Sequence, residues 1–274
     1  DMTGDGLADI VRVRLGEVAY WPNLGHGQFG RKITLADSPV FDLGDQFEPG
    51  RLRLADVDGT GPTDLIYLGA AGTQVWMNQS GNRFAAAVTV AGFPLLDDAA
   101  SVDVVDLRGN GTACLVWSSG RGTEMQRLHF IDLMKGQKPH LLVEVDNGRG
   151  LLTRARYAPS TRSYLRDRLA GRPWATRLPF PVQVVERVES FDQVARQKFV
   201  QHFAHHHGYF DGHEREFRGF GMVEQWDTES FEDFEGAGLF SFGFETVESK
   251  LHQPPVHTTS WFHPGAFLGW ERVS

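Results

Sequence analysis

Two acidic loops in the first quarter of the chain contain the side chains best suited to hold a metal ion. The segments DMTGDGLADI (residues 1–10) and DVDGTGPTDL (residues 56–65) place carboxylates at loop positions one, five and nine, and at positions one, three and nine. Calcium loops combine alternate side-chain oxygens of this kind with a backbone carbonyl. The sequence therefore predicts two candidate calcium sites, formed by Asp1, Thr3, Asp5 and Asp9, and by Asp56, Asp58, Thr60 and Asp64.

The same loops also have a simpler interpretation as turns. Asp and Asn side chains accept hydrogen bonds from nearby amides, and glycine tolerates the positive φ that a tight turn requires. The sequence leaves both interpretations open for the first two loops. A third copy, DLRGNGTACL (residues 106–115), has Arg108 where a ligand belongs and Cys114 in place of the last Asp, which predicts a loop without metal.

Five histidines form a second candidate cluster, at positions 202, 205, 206, 207 and 213. On a strand, His205 and His207 would share a face, as zinc ligands must converge, but His206 would point the other way. The chain has no HExxH spacing. We therefore expect histidines that line a sheet, and a metalloenzyme built on His205 and His207 is the alternative.

The segment Glu214-Arg215-Glu216-Phe217-Arg218 alternates charge. On a strand, Glu214, Glu216 and Arg218 would lie on one face, which favours cross-strand ion pairs over a catalytic carboxylate pair. No GxSxG, P-loop or dinucleotide-binding motif accompanies it. The sequence therefore predicts a protein that is not an enzyme.

The three acidic loops are copies of one repeated unit. They begin at residues 1, 56 and 106, and Trp21 and Trp76 each follow a loop start by twenty residues. Short apolar strands separated by glycine turns fill each repeat, as in a propeller blade with four strands. Because propellers close with about four to eight blades, fewer than three blades predict a partial β-propeller whose missing blades lie upstream. A β-sandwich is the alternative.

Composition limits the remaining possibilities. The chain has 274 residues, 41% of them hydrophobic, and a formal net charge of −8. A negative chain without a Lys/Arg-rich run does not suit nucleic acid, and no apolar run is long enough to insert in a membrane. No leader is recognisable, although one could have been removed. The single cysteine, Cys114, lies in an apolar strand and is expected to be a buried thiol.

The repeat stops near residue 134, which predicts two regions, 1–134 and 135–274. In the second region we expect hairpins formed by residues 140–145 with 151–157 and by 182–191 with 197–204, then a glycine-rich turn at 208–212 and a strand at 216–226. The Arg-rich connection 158–181 is expected to hold one helical turn at 164–169. Residues 231–244 are expected to be a loop.

Several motifs together resemble a known family. DMTGDGLAD resembles the FG-GAP or VCBS repeat of integrin-type propellers. YWPN (20–23), NGTACLVWSS (110–119), KPHLL (138–142), YAPST (157–161), HGYFDG (207–212), EREFRGFG (214–221) and DTE (227–229) resemble, in this order, the middle region of the B component of bacterial Tc (toxin complex) insecticidal toxins, the SpvB/TcdB-like family.

The resemblance implies a secreted toxin component with a structural role. In this family a propeller docks on the pore-forming A component and acts as a gate. The chain that follows joins an Rhs-like β-shell, built with the C component, that encloses a toxic effector. Residues 1–134 would then be the last blades, and residues 135–274 the first antiparallel strands of the shell. No stretch matches the family's self-cleaving aspartates.

A different class of protein remains as the alternative. A secreted adhesin or lectin-like propeller would bind a host ligand through its calcium loops and would carry the second half as an accessory β domain. The two readings make different predictions: calcium-dependent ligand binding for the adhesin, and co-purification with A and C components for the toxin subunit.

Overall fold

The computed structural model describes residues 1–42, 47–94, 100–120, 128–227, 239 and 254–265. These residues form two compact units. The first contains Asp1–Arg108 and Thr112–His140, and the second contains Gly109–Gly111 and Leu141–Ser274. The chain thus divides at residue 140, six residues beyond the boundary predicted after residue 134. The assignment of the two parts as propeller and shell stays a prediction.

The first unit consists of antiparallel sheets built from short strands. The strands are β1 (Ile10–Arg14), β2 (Glu17–Trp21), β3 (Ile33–Thr34), β4 (Leu52–Ala55), β5 (Asp64–Gly69), β6 (Gly72–Trp76), β7 (Asn78–Gln79), β8 (Arg83–Phe84), β9 (Val88–Val90), β10 (Ala100–Val105), β11 (Cys114–Ser119) and β12 (Leu128–Asp132). The sheet orders are β1-β2-β3, β4-β5-β6-β9 and β10-β11-β12, with a separate β7-β8 hairpin. The predicted four strands therefore occur in the second sheet, and the described parts of the first and third sheets have three each.

Alternation along these strands places apolar side chains between neighbouring sheets. One buried cluster joins the first and second sheets and includes Met2, Tyr20, Tyr67 and Trp76. A second cluster joins the second and third sheets and includes Val57, Ile66, Val102 and Leu115. Strand β5 is buried along its whole length because it contributes to both clusters on opposite faces. Cys114 is buried, as predicted.

The second unit is organised around one six-stranded antiparallel sheet. Its strands are β13 (Glu144–Asp146), β14 (Leu151–Pro159), β15 (Gln183–Asp192), β16 (Gln197–Asp211), β17 (Glu216–Trp226) and β18 (His257–Trp261), and they are hydrogen-bonded in sequence order. Each connection therefore joins neighbouring strands. Among the residues that the structure describes, no helix is both long and apolar enough to span a membrane. The fold is all-β, and the part of the chain that the structure describes adds one α-helix and one short 3-10 turn, Pro49–Arg51.

Helix α1 (Ser160–Leu169) is longer than the single turn predicted at residues 164–169. No apolar helical period is visible in this segment because the buried face of the helix is polar, with Ser160 and Asp167 as its buried residues. Ser160 anchors the start of the helix: its amide donates to the Val182 carbonyl over 2.8 Å, and its Oγ accepts from the Val182 amide over 3.0 Å.

The predicted glycine-rich turn at residues 208–212 is wrong, because β16 continues to Asp211. A bulge between Gly208 and Phe210 lets the strand bend without ending. A side chain at Gly208 would lie within 3.0 Å of Leu178, Trp174 and Phe220, so glycine serves close packing there. The predicted loop at residues 231–244 lies outside the described residues, except for Leu239.

Candidate functional site

The first carboxylate of each acidic loop accepts hydrogen bonds from the backbone of its own loop. Asp1 accepts from the amides of Gly4 and Gly6, each over 2.7 Å. Asp56 repeats the pattern with Gly59 at 2.6 Å and Gly61 at 3.0 Å. These bonds satisfy amides that the tight turn leaves without strand partners. The turn interpretation thus accounts for Asp1 and Asp56 directly.

The last carboxylate of each loop joins two distant backbone segments. Asp9 accepts from the Met2 amide over 2.7 Å and from the Asn23 amide over 2.8 Å. In the second copy, Asp64 accepts from the Val57 amide over 2.8 Å and from the Asn78 amide over 2.7 Å. The repeated unit is therefore preserved down to individual hydrogen bonds.

The asparagines that take part in this arrangement were missed in the sequence. Asn23 donates its side-chain amide to the Ala8 carbonyl over 3.0 Å, and Asn78 donates to the Thr63 carbonyl over the same distance. Each asparagine follows the last aspartate of its loop by fourteen residues. That shared spacing was the signal that could have identified the pair.

Three carboxylates converge in the second loop. One oxygen each of Asp56, Asp58 and Asp64 lies within 4.8 Å of the others, and within the described parts of the chain this is the one group of three His, Cys, Asp or Glu side chains that meets this spacing. Burial raises the pKa of Asp64 to about 6 against the effect of its two amide donors, and the charges of Asp58 and Asp56 add to the rise. Calcium prefers oxygen ligands such as these carboxylates, and a bound cation would stabilise the buried negative charge of Asp64. The arrangement therefore fits a calcium ion.

The other two loops differ from the second. Asp1, Asp5 and Asp9 do not reach that spacing, and Asp5 accepts from the Leu7 amide over 2.9 Å. In the third loop, Arg108 lies 3.4 Å from Asp132. Cys114 is buried, and burial raises the pKa of its thiol.

The five histidines of the second unit do not converge on one point. His206 is buried and lies between two carboxylates, 2.6 Å from Asp167 and 2.9 Å from Glu224. His207 adopts a positive φ at the bulge and accepts from the Ala175 amide over 3.1 Å, so it does not alternate regularly with His205. The sequence predicted that His206 points away from the face shared by His205 and His207. In the structure, His206 is the histidine that lies between two carboxylates.

The predicted alternation of Glu214, Glu216 and Arg218 on one strand face is wrong at its start. Residues 212–215 form the turn between β16 and β17, where Arg215 has a φ of 55° and the Glu214 amide donates to Asp211. Because β17 begins at Glu216, only Glu216 and Arg218 share the strand, and their side chains pair at 3.3 Å. That pair lies within one strand, and the expected cross-strand pair is formed by Arg218 with Asp211 of β16, at 3.6 Å.

A second buried charge pair lies on β15. Glu189 is fully buried and accepts from the Arg187 side chain over 2.5 Å and from the Leu239 amide over 2.8 Å. A nitrogen of the same arginine lies 3.1 Å from the His202 ring. The Arg187–His202 contact joins β15 to β16, and the His206 contacts join β16 to α1 and β17. The sequence indicated charged strands but not their burial.

Comparison with known proteins agrees with this architecture. Residues 78–238, more than half of the chain, match the family model of the insecticide toxin TcdB middle/N-terminal region. Comparison with curated proteins gave no match.

Solved structures match over nearly the whole chain. A crystal structure of TcdB2-TccC3 is 33% identical over 97% of this chain, with a TM-score of 0.79. A crystal structure of TcdB2-TccC3-Cdc42 is 32% identical over 97%, with a TM-score of 0.80. The Tc holotoxin pore of Photorhabdus luminescens is 32% identical over 96%, with a TM-score of 0.77. In each case the present chain spans 12% of the length of the matching chain. The chain therefore belongs to the TcdB insecticide toxin family, as part of a Tc toxin B component.

Proposed function

We propose that the chain is a structural segment of a secreted Tc toxin B component and carries out no catalysis itself. The likeness over 97% of its length to a chain of the TcdB2-TccC3 complex is the observation that carries this proposal. The three sheets of the first unit would be the last blades of a propeller that docks on a pore-forming A component and gates the passage toward it. The six-stranded sheet of the second unit would form part of a shell, built with a C component, that encloses a toxic effector.

The fold supports a shell role in physical terms. The second unit places long neighbouring strands in one sheet, and among the described strands β13 and β18 lie at its two edges, where further strands could pair. Glu189 and His206 are buried in the sheet, and both are paired with charged side chains. A sheet that can be extended at its edges and buried charges that are paired both suit a β-shell that is continued by other parts of a larger chain.

Co-purification tests this proposal. We expect the intact protein that carries this chain to bind a tagged C component, and the resulting complex to bind an A component, in size-exclusion chromatography. A matched complex in which the segment 144–226 is replaced by a flexible linker of the same length is expected to lose C-component binding. Normal assembly of that complex, or failure of the intact protein to bind either component, would contradict the proposed role.

We also propose that the second acidic loop binds calcium through Asp56, Asp58 and Asp64. The mutual spacing of the three carboxylates supports the proposal. Because the pKa of Asp64 is raised to about 6 and calcium requires the ionised form, binding is expected to be lost as the pH falls through 6. Calorimetric titration of the intact protein with calcium, at pH 7.5 and at pH 5, measures this.

A pair of variants makes the calcium test specific. Asp58→Asn is expected to weaken binding at pH 7.5 at least tenfold, since it removes a ligand charge. Asp103→Asn, on the third sheet and outside the cluster, serves as the control and is expected to bind like the unchanged protein. Equal affinity of the two variants would show that calcium does not occupy the second loop.

A further inference from the structure

Both ring nitrogens of His206 face carboxylates. His206 lies on β16 and is 5% exposed. Its Nδ1 lies 2.6 Å from Asp167 Oδ2 on α1, and its Nε2 lies 2.9 Å from Glu224 Oε2 on β17. An ionised carboxylate has no proton to donate, and a neutral imidazole carries a single N–H. Both contacts are therefore hydrogen bonds only when the ring is a doubly protonated imidazolium.

His206 is the residue that links the carboxylates of Asp167 and Glu224, and several other charged or titratable groups surround it. The charged and titratable neighbours are Arg166 and Asp167 on α1, His205 and His207 on β16, Glu224 on β17 and His257 on β18. Burial lowers the pKa values of His205 and His207, and the charge of His206 lowers them further. His257 lies 3.0 Å from the other oxygen of Glu224, so it neighbours the cluster without replacing His206.

Asp167 is held in its ionised form. Burial raises its pKa, but hydrogen bonds from the Trp174 indole and from His206 outweigh that effect and bring the pKa below its ordinary value. The indole N–H donates to Asp167 Oδ2 over 2.7 Å, the same oxygen that faces His206. Asp167 thus joins the helix to β16 through His206, in addition to the Ser160–Val182 hydrogen bonds at the start of the helix.

We propose that His206 is a proton-dependent latch, which holds α1 against β16 and β17 while the ring is doubly protonated and loosens this contact when the ring loses a proton. After that loss, one ring nitrogen presents a lone pair to a carboxylate oxygen, and the contact becomes repulsive. The latch binds its proton in the closed state, so its stabilisation is present at low pH and is lost as the pH rises. At the acidic end the latch persists, because the lowered pKa of Asp167 keeps that carboxylate ionised.

Hydrogen–deuterium exchange of the intact protein tests the latch. Protection of the amides in residues 161–171 is measured from pH 6 to pH 10 and corrected for the intrinsic pH dependence of exchange. We expect a step in which protection falls by up to tenfold per pH unit, the limit set by the loss of one proton. Peptides from β1 and β2 in the first unit serve as the internal reference and should show no step.

Three variants identify the group responsible. Glu224→Gln is expected to abolish the step while keeping protection, because the Gln amide can donate to the lone pair of a neutral His206. His206→Gln is expected to lower protection at every pH and to show no step, and His213→Gln, in the exposed turn, should behave like the unchanged protein. A flat corrected profile in the unchanged protein, or a step that persists in Glu224→Gln, would overturn the proposal, and neither result depends on the folding of His206→Gln.

Discussion

Replacement of Glu189 by alanine is expected to lower the free energy of local opening of β15 and β16 by about 3–5 kcal/mol, the usual cost of leaving one member of a buried ion pair without its partner. Glu189 is fully buried, and Arg187 beside it is 3% exposed. The alanine variant removes the carboxylate that lies 2.5 Å from the Arg187 side chain and also removes the acceptor of the Leu239 amide. Hydrogen exchange of the β15 and β16 amides in the intact protein measures the change.

Glu186, on the same strand, provides the matched control. It pairs with Arg156 at 3.2 Å and Arg162 at 3.0 Å, but all three side chains are partly exposed to solvent. Exposed pairs contribute about 0–1 kcal/mol, so Glu186→Ala is expected to change the opening free energy by less than about 1 kcal/mol. If the two variants lose the same stability, burial is not what makes the Glu189 pair important.

Replacement of Asp64 by alanine is expected to destabilise the first unit by about 2–6 kcal/mol, since two buried amides lose their acceptor at about 1–3 kcal/mol each. The amides belong to Val57 and Asn78, and both residues are buried. The variant separates the loop from the turn that follows β6, so β5 and β6 should lose protection together. Exchange of those amides, in a buffer that contains a calcium chelator, isolates this effect from metal binding.

Asp58→Ala is the control within the same loop. Asp58 accepts from the amide and the hydroxyl of Thr60, at 3.0 and 2.7 Å, and both bonds are exposed. Water can replace these bonds, so we expect a loss below about 1 kcal/mol. A large loss for Asp58→Ala together with a small loss for Asp64→Ala would reverse the assignment of roles within the loop.

Local sequence patterns predicted the strands well because each depends on short-range rules. Strand β17 was predicted with its observed bounds, Glu216–Trp226, and β14 and β15 were predicted within two residues at each end. Alternation of side chains and glycine turns act over a few residues, so they can be read without tertiary information. The repeat of 55 residues between the first two loops was also visible in the sequence, but the matching hydrogen bonds of Asp9 and Asp64 to the Asn23 and Asn78 amides were not predicted.

The errors lie where distant segments meet. The sequence predicted a turn at Gly208, but Trp174 and Phe220 pack closely around that glycine and β16 passes through it. Helix α1 was predicted as one turn because its buried face is the charged Asp167, whose partners are 7 and 39 residues further along the chain. Periodicity of apolar residues cannot reveal a helix that is held by hydrogen bonds to a distant strand.

By itself the sequence determined the all-β class, the repeated acidic loops, most of the strands and the likeness to Tc toxin B components. These depend on residue types at fixed local spacing. Only the tertiary structure decided which acids converge, that Asp56, Asp58 and Asp64 meet while Asp1, Asp5 and Asp9 do not, and that His206 faces two carboxylates. The reason is physical: convergence and burial depend on contacts between residues far apart in the chain, and those contacts set the charge state of Asp64 and hold Asp167 against His206.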